Sequence, residues 1–130
     1  MVRVDANFPA MSLYWTIDSR ARLVTIVADG AVSRAEADAC IDAMAGADSA
    51  AYWKLFDGRK LVVSMEPEDL LAIGARLRSY HDQPLGPLAV VLSGEQTEYA
   101  ARVAGIVAMA DRPMRIFCSL LQARRWLSRQ

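Results

Sequence analysis

The residues able to do chemistry gather at four points of this 130-residue chain: Asp29-Gly30, Asp57-Gly58-Arg59-Lys60, Ser93-Gly94-Glu95 and Cys118-Ser119. Each follows an apolar run that reads as a strand and precedes a helical pattern. If those strands run parallel, all four points come to the edge beyond their carboxyl ends, where ligands of open α/β sheets collect. Helix N-termini opening there carry unpaired N–H groups and partial positive charge, and Arg59 and Lys60 add formal charge. That combination suits a small anion or phosphate. The chain has no GxGxxG and no P-loop, so a nucleotide would lack its usual backbone cradle. The plainer account of the serines is that they cap helices and need no ligand.

Asp29 and Asp57 both end predicted strands. As a carboxylate pair they could share a proton or hold a divalent cation. No third ligand accompanies them, and such residues also serve as turn formers. Neither a metal nor a cofactor is expected. His81, the sole histidine, stands near the end of a predicted helix beside Asp82. Nucleophilic catalysis needs a base beside its nucleophile. Cys40 falls on the core face of a different helix and Cys118 ends a strand, so no such pair is suggested. Cys118 does stand at a helix start, a place that favours a thiolate. The expectation is a protein that is not an enzyme.

The elements that must position these groups follow from hydropathy period. Ser12 to Ile17 alternates, as a half-buried strand does, and Leu23 to Ala28 is almost wholly apolar and β-branched. Further strands are expected at Tyr52–Phe56, Leu88–Leu92 and Met114–Cys118. Between them Ala37, Cys40, Ile41 and Met44 share one helical face. So do Leu70, Ile73, Leu77 and Tyr80, then Tyr99, Val103, Ile106, Val107 and Ala110, and finally Leu120, Ala123, Trp126 and Leu127. Ser33–Glu36, Ser93–Gln96 and Ser119–Gln122 fit the capping box, and Pro67 suits a first helical turn. The order β-β-α-β-α-β-α-β-α implies an α/β fold. Its five-stranded sheet would be mixed and mostly parallel, flanked by four helices, with the first strand antiparallel. Residues 1–11 read as an N-terminal tail and 12–130 as one domain.

Composition agrees and excludes much. Hydrophobic residues make up 54% of the chain, and 15 basic side chains balance 15 acidic ones. A chain of this length can fold without metal or disulfide staples, and its two cysteines are too few for a disulfide framework. Neutrality weakens any nucleic-acid role. No apolar run approaches the ~18 residues of a membrane span, and no signal peptide opens the chain, so a cytoplasmic protein without membrane insertion is expected. Charge is nonetheless uneven. Residues 1–58 hold five basic and eight acidic groups, whereas residues 95–130 hold six and three. Arg112, Arg115, Arg124, Arg125 and Arg129 could meet an acidic partner or simply be solvated. The small residues of the third helix, among them Ala100, Ala104, Gly105 and Ala108, suit close packing on the sheet or on a second subunit. Homodimerisation stays open.

A family resemblance runs through these pieces. It begins with Trp15-x-Ile17-Asp18, Leu23-Val24-x-Ile26 and Gly30-x-Val32-Ser33-x-x-Glu36. It continues through Leu55-Phe56-Asp57, Leu88-Ala89-Val90-Val91 and Ile116-Phe117 to Ala123-x-x-Trp126-Leu127. In that order the chain resembles, over residues 12–128, the SpoIIAA-like group of small bacterial proteins, within the STAS and SEC14-like class. The resemblance implies a mixed sheet flanked by helices. It also implies a regulatory or binding role through protein partners and sometimes small ligands. In anti-sigma-factor antagonists of this class, a strand ending in Asp is followed by a phosphorylatable hydroxyl. Here Gly58-Arg59 follows Asp57, and the nearest serine, Ser64, comes seven residues later. SEC14-type lipid carriers are longer than this chain.

Leu61-Val62-Val63-Ser64-Met65 lacks an obvious core duty. It is either a connector packed across the sheet end, or a lid or partner-binding surface. The expected binding rim therefore comprises Ser33, Asp57, Arg59, Lys60, Leu61, Val63, Ser64, Met65, Ser93 and Ser119, with Ser64 as the position for any phosphorylation. The alternatives are a carrier of a small apolar or lipid-like ligand, which needs a cavity beneath Leu61–Met65, and a small enzyme of unknown class.

Overall fold

The structure is a computed structural model that describes residues 12–46, 49–62, 64–79, 86–96, 98, 102 and 113–130. Strand β1 (Leu13–Asp18) pairs antiparallel with β2 (Leu23–Ala31), placing Leu13 opposite Ala28 and Ile17 opposite Val24. The reversal is set locally. The Asp18 carboxylate accepts from the backbone N–H of Arg20 and of Ala21, each at 3.0 Å, and Arg22 takes a left-handed φ of 53°. Helix α1 (Arg34–Gly46), strand β3 (Trp53–Val62), helix α2 (Pro67–Arg78) and strand β4 (Leu88–Val91) follow. A single 3-10 turn (Gly94–Gln96), strand β5 (Met114–Phe117) and helix α3 (Leu120–Leu127) complete the described elements. The third predicted helix, the 1–11 tail, His81 and Val63 lie outside the described residues, so three of the four expected helices are seen.

Strands β2 to β5 pair in parallel, and the spatial order β1-β2-β3-β4-β5 follows the chain. The crossovers between successive parallel neighbours place α1 and α2 side by side on one face of the sheet. There Val24, Ile26 and Ala28 of β2 pack with Cys40 of α1. The opposite face belongs to α3, whose Ala123 and Leu127 pack on Leu55, Ala89 and Val91. Period-two alternation divides each strand between these layers. Val24, Leu55 and Val91 are essentially inaccessible to solvent, each contributing about 1.5–3 kcal/mol through burial.

The largest departure from expectation is β3, which continues past Phe56 to Val62. Val27 pairs with Asp57, but Asp29 pairs with Lys60, so β3 carries one more residue than β2 over this step. That is a β-bulge at Gly58-Arg59. Asp29-Gly30 and Asp57-Gly58-Arg59-Lys60 are thus parts of paired strands and not turns beyond them. Gly58 serves close approach. A Cβ there would lie 2.8 Å from both Leu92 Cδ2 and Phe56 Cε1. The extra residue also reverses the alternation, so Leu61 packs against the core while Arg59 and Lys60 stay exposed. Strands β4 and β5 each end one residue early, leaving Leu92 and Cys118 outside.

The helix starts differ in kind. At α1 the capping box is complete: the Glu36 N–H donates to Ser33 Oγ at 3.1 Å, and the Ser33 N–H donates to Glu36 Oε1 at 3.3 Å. The other Glu36 oxygen accepts from the Ser12 N–H at 2.9 Å, joining α1 to the start of β1. At α3 only half the box forms, with the Gln122 N–H donating to Ser119 Oγ at 3.4 Å. The Ser93–Gln96 pair opens the 3-10 turn instead of a helix directly. Helix α2 begins at Pro67 behind Glu66, and Ser64 takes no part in capping it.

Candidate functional site

Under α1 and α2 lies a cavity of about 190 Å³. Its sheet wall is Ile26, Phe56, Val90 and Leu92, and its helical wall is Cys40, Ile41 and Met44 of α1 with Leu70, Ile73 and Leu77 of α2. The apolar helical stripes that resemble ordinary core faces in sequence are facing a void. Strand direction orients the space. Val62, Ser64 and Met65, after the bulge, form the mouth, where Val62 is 57% exposed. Lys54, Leu77, Met44 and Leu88 lie at the far end, where β3 and β4 begin and the helices finish.

Lys54 is the basic residue of this wall and is only 3% exposed. Burying an ammonium is costly unless its N–H groups are bonded. Its Nζ donates to the carbonyls of Ala50 at 2.6 Å, Tyr52 at 3.0 Å and Ser49 at 3.3 Å. Those carbonyls belong to the loop leading into β3, which is itself held down. The Gly86 N–H donates to Ala50 O at 2.9 Å, and a Cβ at Gly86 would sit 2.1 Å from Tyr52 O. Cys40, the one thiol on the wall, is pushed up to about 12 by burial, so it stays protonated at neutral pH and is no nucleophile.

The expected rim residues divide. Leu61, Ser64 and Met65 come together at the cavity. Asp57 and Arg59 do not join them. The guanidinium grips the carboxylate through both oxygens, Nε to Oδ1 and NH2 to Oδ2, each at 2.9 Å, and the Arg59 N–H adds a bond at 3.2 Å. The side-chain bond from Arg59, ahead of the opposing cost of burial, holds the Asp57 carboxyl below the ordinary carboxylate range. An anion arriving at Arg59 must therefore compete with Asp57. Asp29 stands opposite the exposed Lys60 and not opposite Asp57, so the register does not pair the two carboxylates. Among the described residues, no group of three or more His, Cys, Asp or Glu side chains could hold a metal ion.

Ser33 and Ser119 cap α1 and α3, and Ser93 bonds Gln96 through both its N–H and its hydroxyl. Val63 lies outside the described residues. Sequence reasoning missed Lys54 and Gly58. The signal for the first was a lysine inside the apolar run Tyr52-Trp53-Lys54-Leu55-Phe56.

No family model matches the chain, and no curated protein matches it. Among solved structures, it is similar to the crystal structure of an uncharacterized DUF3478-family protein with a SpoIIAA-like fold from Shewanella loihica PV-4. The TM-score is 0.62 at 19% identity, covering 92% of this chain and 97% of that one. At that identity the likeness establishes the fold, which is SpoIIAA-like. Among the described residues, no helix is long and apolar enough to cross a membrane.

Proposed function

We propose that this SpoIIAA-like domain works by binding and not by catalysis, and that it holds a small apolar ligand under α1 and α2. The cavity carries this reading. A void of roughly 150 Å³ lined by Leu, Ile and Phe stays dry and accepts benzene, and this one measures about 190 Å³ with walls of the same kind. Scaled by volume, it suits about eight non-hydrogen atoms. That is too small for a two-tailed lipid and suits a short hydrocarbon chain or a monocyclic aromatic.

A second reading, contact with a protein partner at the rim, is favoured by the exposed Val62 beside Ser64 and Met65. The two meet at the mouth, where an occupant would alter the surface a partner touches. Native mass spectrometry of the purified protein, followed by thermal melts with 1-octanol, benzene and toluene, tests the first reading. A retained small molecule or a saturable rise in Tm is expected. An empty protein whose Tm no probe raises would refute it.

A further inference from the structure

The cavity has two chemically different ends, and resting on the apolar-ligand reading, this difference specifies how a ligand sits. Its length follows from the helices that roof it. Ala37 to Met44 and Leu70 to Leu77 are each eight residues of α-helix, whose seven rises span about 10 Å. At the mouth Ser64 is exposed and Val62 is 57% exposed, so a polar group there remains in water. At the floor an ammonium has three N–H donors, and Lys54 directs them at the carbonyls of Ser49, Ala50 and Tyr52. What it offers the cavity is its methylene stem. A ligand head driven to the floor would lose its water and meet donors already engaged. A hydrocarbon end would lose nothing there.

We propose that the ligand is a single-tailed amphiphile of about eight carbons that enters tail first, its polar end at Ser64 and its terminal methyl on the Lys54 stem. Lys54 and the loop it holds form a plug that sets the longest tail accepted. The plug is held in place by Gly86, which packs directly on that loop with its N–H bonded to Ala50 O at 2.9 Å.

Two measurements with linear primary alcohols decide this. In the first, isotope-labelled wild-type protein is mixed with 1-octanol, and intermolecular NOEs are recorded. The terminal methyl should contact Lys54 side-chain protons, and the hydroxyl-bearing methylene should contact Met65. The reverse pattern would overturn the proposal, and this measurement needs no variant to fold. In the second, affinities are measured for alcohols from hexanol to tetradecanol. Affinity should rise about fourfold per methylene and then break. In Lys54→Val the break should move to longer tails, and an unmoved break would overturn the plug. If no alcohol binds wild-type protein saturably, the apolar-ligand reading itself falls, an outcome distinct from binding in the wrong orientation.

Discussion

The side-chain amide of Gln96 donates to the carbonyl of Leu61 at 2.8 Å, across 35 positions of sequence. Its own Oε1 accepts from both the N–H (2.7 Å) and the hydroxyl (3.0 Å) of Ser93. One buried amide thus fastens the turn after β4 to the bulged end of β3, beside the cavity mouth. Gln96→Leu removes both halves and leaves the Ser93 N–H and Leu61 carbonyl without this partner. A loss of about 1–3 kcal/mol is expected, read by urea denaturation, together with weaker binding of 1-octanol. Unchanged stability would show that water replaces the amide.

Gly58→Ala tests the bulge. The added methyl would lie 2.8 Å from Leu92 and Phe56, both of which line the cavity. Both must move, and the cavity they line offers them space. The expected cost is about 1–3 kcal/mol, with reduced affinity for every alcohol in the series. Wild-type affinity in Gly58→Ala would mean that the side chains yield away from the cavity.

The Asp57–Arg59 pair predicts an acid-side dependence. Because the folded carboxyl lies below its unfolded value of about 3.9, its contribution is fully present above that value. It is lost as pH falls through the depressed folded value. Asp57→Asn should flatten the acid limb of a stability–pH curve and lower the neutral plateau by the same amount, a small one because the pair is partly exposed. An acid limb identical in wild type and variant would count against this.

Thiol reactivity separates the cysteines. Cys118 is exposed and Cys40 is buried, so at pH 8 one thiol per folded chain should react with a disulfide reagent and the second only on unfolding. The raised Cys40 value has the opposite sign to that of Asp57. Its contribution is present below the unfolded thiol pKa and declines as pH rises toward about 12. Two equally fast thiols would indicate that α1 opens readily.

What the sequence revealed depended on whether a local signal had one physical meaning. Alternation in β1 and the Ser33–Glu36 box each had one, and both elements formed as expected. Asp57-Gly58 had two meanings. It commonly marks a turn, but here a glycine fits because Leu92 crowds the strand together with Phe56, and Leu92 is far from Gly58 in the chain. The cavity was hidden for a similar reason. Cys40, Ile41 and Met44 have the same spacing whether they face packed side chains or a void, so periodicity alone cannot distinguish the two. Lys54 was legible only as an anomaly, because the carbonyls that satisfy it come from backbone, which has no sequence signature.

The strand order has a consequence for how the protein is made. Since neighbours in the sheet are neighbours in the chain, every described residue lining the cavity lies between Leu13 and Leu92. During synthesis from the N-terminus the described wall of the binding chamber has been made before β5 and α3 exist, and α3 then braces the opposite face. Chamber and brace therefore lie on opposite faces of one sheet: Ala123 and Leu127 of α3 press on Leu55, Ala89 and Val91, whose strand neighbours Phe56 and Val90 face the cavity.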